Sequence, residues 1–359
     1  MLLEPKKHIK GRGAQEKIHN RFSTNHYELR DDFLNYLQKE GEPIHNHKTT
    51  FIETFPKTIV NKVSSPDVGM MYSLNPYQGC EHGCVYCYAR NSHEYWGYGA
   101  GIDFESKILV KKNAPELLDK KLKSKNWKAY PIALSGNTDC YQPAEKKLKI
   151  TRQLLEIFLK YKHPVGIITK NALIQRDIDI LSKLAKDNLV SVFLSITSLN
   201  EETRRILEPR TASIIKRLET LERLNESGIP TNVMMAPIIP SINNHEILPL
   251  SKEVSKRGAK SIGYTVVRLN GAIGQIFTKW LENTLPDRKD KILHQIMECH
   301  DGNLNDNVFG RRMKGSGNIA DQIHQMFAIS RKKYFPEENK ISLNCNLHES
   351  HKDGQLKLF

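Results

Sequence analysis

From residue 70 to residue 270, short runs of hydrophobic and β-branched residues alternate with longer runs in which hydrophobic residues recur every three or four positions. Such short runs are typical of buried strands and the longer runs of amphipathic helices. Six strands are predicted, at 70–75, 131–135, 165–170, 190–197, 230–237 and 260–269. Helices are predicted between them, at 145–162, 176–188, 211–228 and 244–258. The alternation predicts an α/β fold with a parallel sheet, and six units favour a partial (β/α)6 barrel.

The chain on either side of this alternation has a different pattern. Residues 1–68 are polar and rich in histidine, with an extended arm predicted at 11–22 and a short helix compatible with 27–40. After residue 270 the pattern is helical. Three parts are therefore predicted: an N-terminal extension that wraps the core, a partial barrel, and a helical C-terminal region with a tail, at 1–68, 69–270 and 271–359.

Residues capable of chemistry lie where the predicted strands end. A cysteine-rich loop, "NPYQGCEHGCVYCYAR", follows the first strand, and polar runs follow later strands at 136–139, 169–171, 195–198 and 236–244. In parallel α/β folds, the active site is built from the loops at the carboxyl ends of the strands. This placement predicts one shared active site at that edge of the sheet.

The cysteine-rich loop has the spacing C-x3-C-x2-C, formed by Cys80, Cys84 and Cys87. Three thiolates on a cubane of four irons leave one iron free to bind a substrate or cofactor. The same residues also allow a Cys3His zinc site that includes His82. The remaining cysteines lie far apart in the sequence and are interpreted as inert thiols: Cys140, Cys299 and Cys345.

The cysteine spacing resembles the radical S-adenosylmethionine (SAM) superfamily. Further runs, including "NTDCYQPAEKKLKITRQLLE" and "SITSLNEETRRILEPR", are similar to its spore photoproduct lyase-like branch, often labelled DNA repair photolyase. The resemblance implies a [4Fe–4S] cluster on the three cysteines, SAM on the open iron, and a reductant such as a flavodoxin or ferredoxin. It also implies reductive cleavage of SAM to a 5′-deoxyadenosyl radical that abstracts hydrogen from a substrate.

The resemblance further implies which residues bind SAM. Two tyrosines are expected to line the adenine pocket, a Thr–Asp pair to contact polar groups, a lysine to bind the carboxylate, a serine to hydrogen-bond the same end, and an alanine to pass close to adenine. The residues also allow ordinary packing for the tyrosines, capping for the Thr–Asp pair and an internal strand hydrogen bond for the serine. In the order of these roles, the residues are the tyrosines Tyr86 and Tyr88, the pair Thr138 and Asp139, the lysine Lys170, the serine Ser195 and the alanine Ala236.

One departure from the family concerns the thiol that returns a hydrogen atom in spore photoproduct lyase. The matching positions here are Gly136 and Asn137, whereas Cys140 lies on the other side of Asp139. Repair of the spore thymine dimer is therefore not expected, and the substrate stays open. Arg210, in the run "EPR", is equally compatible with a phosphate, the SAM carboxylate or an acidic side chain.

The charge balance bears on the substrate. The chain has 54 Lys and Arg against 40 Asp and Glu, a formal net charge of +14, which suits a nucleic acid or is merely a basic surface. Aromatic residues just past the cysteine loop either stack on bases or pack over the cluster, with packing slightly favoured: Tyr95, Trp96 and Tyr98. The basic run at 310–318 is interpreted as a turn in preference to a phosphate site.

The leading interpretation is a cytoplasmic, lyase-like or transferase-like radical SAM enzyme of unknown substrate, for which a nucleic acid is one candidate. No membrane partner is expected, because no apolar run approaches the ~18–20 residues of a membrane span and the N-terminus lacks a signal-peptide pattern. Two alternatives remain. One is a non-catalytic nucleic-acid-binding protein with a structural metal knuckle, and the other is a radical SAM enzyme that acts on a protein or a small metabolite.

Overall fold

The computed structural model describes residues 9–23, 48–335 and 342–352, and the helix suggested at 27–40 lies outside them. The described residues form ten strands: β1 Thr50–Thr54, β2 Val60–Lys62, β3 Tyr72–Leu74, β4 Tyr77–Gln78, β5 Lys107–Lys111, β6 Ile132–Leu134, β7 Val165–Thr169, β8 Val190–Ser195, β9 Thr231–Ile238 and β10 Ile262–Val266. The six strands predicted from the sequence are confirmed as β3, β6, β7, β8, β9 and β10.

A seven-stranded sheet forms the centre of the fold, in the order β10-β9-β8-β7-β6-β3-β2. Its first six strands in that order are parallel, and β2 pairs antiparallel with β3 at the edge. Each parallel connection has to cross over, so helices lie between successive strands. The α/β fold class is confirmed, and the strand order is that of a partial (β/α)6 barrel.

The described residues also form twelve α-helices: α1 Ile102–Ser106, α2 Ala114–Lys123, α3 Glu145–Leu148, α4 Ile150–Lys160, α5 Ile178–Lys186, α6 Glu201–Leu207, α7 Ile214–Glu226, α8 Ile247–Lys256, α9 Ala272–Thr284, α10 Lys289–Glu298, α11 Asn318–Tyr334 and α12 Asn346–Lys352. The helix predicted at 145–162 is divided at Lys149, whose φ of 52° is left-handed. The buried Glu145 carboxylate accepts a 3.0 Å hydrogen bond from the backbone N–H of Thr151. That bond satisfies a donor of the first turn of α4, which has no partner inside the helix.

A second sheet was not predicted. In it β5 pairs with β1 in parallel and with β4 in antiparallel fashion. The residues of β1 are partly exposed and lie in a polar segment, while β5 lies outside the regular alternation of strands and helices. Local hydrophobic pattern therefore gives little sign of their pairing. The sheet matters for function because β4 leads directly into the cysteine loop.

The described part of the N-terminal arm, 9–23, contains no helix or strand and lies against the segment around α1. The backbone N–H of Ile102 donates to the Glu16 carbonyl at 3.1 Å, and a Cβ at Gly101 would lie 2.4 Å from the same oxygen. The predicted division into 1–68, 69–270 and 271–359 stays a prediction. None of the helices in the described ranges has the length and apolar character needed to cross a bilayer.

Candidate functional site

The cysteine loop connects β4 to a 3-10 helix at Tyr88–Trp96. Gly79 and Gly83 have left-handed backbone, with φ of 81° and 69°, a conformation that glycine adopts without strain. The backbone N–H of Cys80 donates to a carbonyl of α1 at 2.9 Å, and that of Val85 donates to a carbonyl of α6 at 3.1 Å. Two elements far apart in the sequence therefore fix the shape of the loop.

The three cysteine thiols of this loop are largely shielded from solvent. Cys80 and Cys84 are 7% and 8% exposed, and Cys87 is half-buried. Burial raises the pKa of Cys80, and the negative charges of Asp139, Cys84 and Cys87 raise it further. Cys87 packs against the hydrophobic cluster that contains Cys84 and against the one that contains Cys80, so the three thiols lie in one site. A bound cation is what would stabilise their thiolate forms there, so the donor set fits an iron–sulfur cluster.

Both ring nitrogens of His82 have partners other than the cysteines. Its Nδ1 lies 3.3 Å from an Asp139 carboxylate oxygen, and its Nε2 lies 3.3 Å from the Asn171 amide nitrogen. These partners disfavour the Cys3His zinc site, in which a His82 ring nitrogen would have to bind the ion together with the three thiolates. A four-iron cluster has no such requirement, because each thiolate binds a different iron.

A buried ion pair supports the cysteine loop on the side of the N-terminal arm. Arg90 and Glu105 are fully buried, with Nη2 2.5 Å from Oε1. Arg90 also donates to the Cys84 carbonyl, from Nε at 3.1 Å and from Nη2 at 2.8 Å. The backbone N–H groups of Gly13 and Ala14 donate to the Glu105 carboxylate at 3.0 and 2.8 Å. The arm is thereby linked to the loop through one carboxylate.

A second buried ion pair lies on the other side of the loop, where Arg217 Nη2 is 2.5 Å from Glu208 Oε2. The hydroxyls of Tyr86 and, at 2.8 Å, of Thr197 donate to Glu208 Oε1. Burial alone would raise the pKa of Glu208, but the Arg217 and Lys170 cations, together with the Tyr86 hydrogen bond, lower that pKa to about 2. Glu208 is therefore ionised at neutral pH and holds Tyr86 in a fixed orientation.

Lys170 follows the carboxyl end of β7, with its Nζ 6.0 Å from the centroid of the Tyr86 ring. Its backbone N–H donates to Asp139 Oδ2 at 2.8 Å, and Asp139 Oδ1 accepts from the Thr169 hydroxyl at 2.8 Å. Burial would raise the pKa of Asp139, but His82 and backbone N–H groups outweigh it and lower that pKa. The Asp139 carboxylate thus fixes the end of β7, and its expected contact with SAM stays a prediction.

The other residues expected to bind SAM lie along the same edge of the sheet. The Thr138 hydroxyl donates to a β4 carbonyl at 2.6 Å, and the Tyr88 hydroxyl donates to the Gly136 carbonyl. Ser195 is the buried last residue of β8, and Ala236 lies in β9. The fold therefore brings these residues to the predicted edge, while their contacts with SAM stay predictions.

A family model described as the radical SAM superfamily matches residues 74–254, from the end of β3 to α8. The chain belongs to the radical SAM superfamily. Members of this superfamily use a [4Fe–4S] cluster and SAM, which confirms the two cofactors predicted from the sequence. The match includes the cysteine loop and the strand ends described above.

The chain is also similar to several curated proteins and solved structures. An uncharacterised protein of Mycobacterium tuberculosis is 30% identical over 241 residues, which are 66% of this radical SAM protein and 71% of the relative. The radical SAM Nα-GlyT isomerase of Pseudomonas phage M6 is 26% identical over 173 residues, 48% of this chain and 34% of that protein. A substituted spore photoproduct lyase with bound AdoMet and dinucleoside spore photoproduct superposes with a TM-score of 0.60 at 13% identity, over 85% of this chain and 92% of the other. That likeness shows a shared fold.

Three features that the sequence left open take definite positions in this radical SAM protein. Arg210 pairs with Glu81, its Nη2 lying 3.3 Å from Oε1. Cys140 is fully buried in the core beside β6. In the basic run at 310–318, Arg311 pairs with Asp306 at 2.6 Å and Arg312 pairs with Asp67, which agrees with a structured turn.

The aromatic residues past the loop differ from one another in exposure. Tyr95 and Trp96 are 73% and 41% exposed, and the Tyr95 ring lies 4.9 Å from that of Phe22 on the arm. Tyr98 packs under Lys107, whose Nζ is 4.7 Å from the ring centroid. Tyr98 is therefore packed against neighbouring side chains, whereas Tyr95 and Trp96 keep large exposed surfaces.

Sequence reasoning missed both buried ion pairs. In the sequence, Glu208 is visible only as the first residue of the run "EPR" and Arg90 only as the last residue of the quoted loop. Two weak signals were present in the sequence. One is Arg90, an arginine three residues after the last cysteine of the loop, and the other is the glycine-rich run "GRGA" at 11–14, whose backbone donates to Glu105.

Proposed function

We propose that this protein is a radical SAM enzyme in which Cys80, Cys84 and Cys87 hold the [4Fe–4S] cluster and leave one iron for SAM. The observation that carries the proposal is the set of three thiols in one buried loop beside the carboxyl edge of the sheet. His82, the additional ligand that a zinc knuckle requires, has both ring nitrogens engaged with other partners.

When bound, the cluster and SAM supply a one-electron cleavage that yields a radical able to abstract hydrogen from a substrate. The chain's own residues bind and orient. We propose that the Lys170 ammonium binds the SAM carboxylate, for which a compact cation at the end of β7 is suited. Tyr86, held by Glu208, would line the adenine pocket. The proposed set is completed by residues of the same edge: Tyr88, Thr138, Asp139, Ser195 and Ala236.

The proposed substrate is a nucleic acid. Three observations support it: the net charge of +14, the exposed rings of Tyr95 and Trp96 near the loop, and a shared fold with an enzyme solved with a dinucleoside. Exposed aromatic rings bind unpaired bases by stacking. We further propose a small flavodoxin or ferredoxin as reductant, and a cytoplasmic location because clustered reduced thiols suit a reducing compartment.

The test is anaerobic reconstitution with iron and sulfide, followed by SAM, dithionite and single-stranded DNA or RNA. We expect a brown protein with about four irons per chain, formation of 5′-deoxyadenosine, and a mass change in one nucleic acid. Cys84→Ala should lose iron and SAM cleavage together. Cys345→Ala is the matched control, because that cysteine lies on the C-terminal segment and its thiol contacts only a backbone carbonyl among the bonds of the described residues.

Different outcomes would overturn different parts of the proposal. A colourless protein with one tightly bound zinc would support the metal knuckle without catalysis. SAM cleavage that leaves every nucleic acid unchanged but alters a peptide or metabolite would keep the radical chemistry and replace the substrate. Binding to DNA or RNA that does not weaken with added salt would also speak against a phosphate-directed interaction.

A further inference from the structure

The segment "GRGA" at 11–14 contacts the cysteine loop through one buried acid, Glu105. Besides the two backbone N–H groups of Gly13 and Ala14, the Arg12 Nη1 donates to the Glu105 backbone carbonyl at 2.5 Å. The contact is very close, since a Cβ at Gly13 would lie 1.8 Å from the Gly83 carbonyl. Only glycine fits where the arm backbone meets the loop backbone.

From Glu105 the contacts continue into the loop through Arg90. The guanidinium pairs with Glu105 at 2.5 Å and donates twice to the Cys84 carbonyl. Its Nη1 also donates to the Gly101 carbonyl at 3.2 Å. Because Arg90 has a planar fork of donors that fits several acceptors at once, it fixes the direction of the Cys84 backbone more firmly than a lysine would. Both side chains are fully buried, so solvent does not screen their charges.

We propose that Arg90 and Glu105 are positioning residues, which hold the cysteine loop in its cluster-binding shape and adjust the reduction potential of the cluster with their opposite charges. This inference rests on the proposed function, because it takes Cys80, Cys84 and Cys87 as the ligands. Partners that orient metal ligands typically contribute about 10- to 100-fold to metal affinity.

The sign of each electrostatic effect follows from the charge removed. Reduction adds an electron to the cluster, so the buried Arg90 cation stabilises the reduced form and the Glu105 anion disfavours it. Arg90→Gln should therefore lower the midpoint potential, and Glu105→Gln should raise it. If a substitution changes the protein's affinity for the reduced cluster tenfold relative to its affinity for the oxidised cluster, the midpoint potential shifts by about 59 mV for one electron. We expect shifts of up to that size.

The experiment uses the full chain, reconstituted anaerobically, as wild type, Arg90→Gln, Arg90→Lys, Glu105→Gln and the double glutamine variant. Iron per chain is measured after passage through a chelating resin, and the midpoint potential is measured by dithionite titration followed by electron paramagnetic resonance. Arg257→Gln is the matched control, since Arg257, just past the end of α8, makes partly exposed ion pairs with Glu253 and Glu222.

We expect Arg90→Gln to retain about tenfold less iron than wild type and to have a lower midpoint potential. Arg90→Lys keeps the positive charge but not the forked donors, so its potential should be closer to that of wild type than its iron retention is. Glu105→Gln should shift the potential upward, and the control should match wild type. If Arg90→Gln does not fold, Glu105→Gln still decides the sign of the electrostatic effect, and Arg90→Lys still tests the hydrogen bonds to the loop through its iron retention. Wild-type potential and retention in these variants would overturn the inference while the proposed function stands. A wild-type protein without a [4Fe–4S] signal would instead overturn the proposed function.

Discussion

Two buried arginine–glutamate pairs lie on opposite sides of the cysteine loop, and they differ in what they hold. In Arg90–Glu105 and in Arg217–Glu208, all four side chains are fully buried and the closest nitrogen–oxygen distance is 2.5 Å. The first pair contacts backbone, namely the Cys84 carbonyl and the N–H groups of the arm. The second pair contacts both backbone and side chains: Arg217 donates to the Ala212 and Ser195 carbonyls at 2.9 and 3.0 Å, and the Glu208 carboxylate accepts from the hydroxyls of Tyr86 and Thr197.

This difference separates two tasks within one site. The Arg90–Glu105 pair holds the backbone of the cysteine loop at the Cys84 carbonyl, whereas Glu208 orients the Tyr86 ring and places a negative charge near Lys170. A buried ion pair is weak evidence for stability by itself, because desolvation opposes the attraction of the charges. Its retention is easier to understand where each partner also orients a functional group, as both pairs do here.

The strongest test of the comparison removes the cation of each pair. Arg90→Met and Arg217→Met each leave a buried carboxylate unpaired, so each should lower the free energy of unfolding by about 3–5 kcal/mol. Urea unfolding of the cluster-free protein, followed by circular dichroism, measures this effect. Only Arg90→Met should also weaken iron retention. Arg257→Met, which removes the cation of partly exposed pairs, should stay within about 1 kcal/mol of wild type.

An equal loss of iron in both variants would contradict the separate role of the Arg90–Glu105 pair, because general destabilisation would then explain the result. A change below about 1 kcal/mol in either buried variant would show that the carboxylate left behind is protonated or reaches solvent.

The two pairs also show what the sequence can and cannot predict. Strand periodicity placed Lys170 and Ser195 at one edge of the sheet, because parallel strands end together. No such rule pairs Arg90 with Glu105, since a buried charge and a surface charge look alike in a sequence and their contact depends on how α1 packs. The second sheet escaped prediction for a related reason: β1 pairs with a distant strand, and its own pattern is mostly exposed.

A smaller effect is expected from the contact of the N-terminal arm that supports the Arg90–Glu105 pair. Gly13→Ala would place a methyl group against the Gly83 carbonyl, so the arm must withdraw from Glu105. We expect a loss of about 1–3 kcal/mol in the free energy of unfolding, the usual effect of overpacking, together with weaker iron retention. Gly69→Ala is the matched control, because a Cβ there would meet no atom within 4 Å. If the two alanine variants had the same unfolding free energy and iron retention, the arm would not contribute to the shape of the cysteine loop.

The smallest effect expected comes from acid, and it concerns the other pair. The pKa of Glu208 falls from an ordinary 4.5 to about 2 on folding, so its ionised form stabilises the folded state fully above pH 4.5 and progressively less as the pH falls toward 2. Between pH 7 and pH 4, Glu208 begins to bind a proton in the unfolded chain but stays ionised in the folded protein. The difference in unfolding free energy between wild type and Glu208→Gln should therefore shrink by about 1 kcal/mol over that interval. Urea unfolding of both proteins at the two pH values measures this difference, in which the other acids cancel. A difference that stays constant or grows toward pH 4 would mean that Glu208 is not held as a carboxylate by Arg217 and Lys170, and the contrast between the two pairs would then rest on their hydrogen bonds alone.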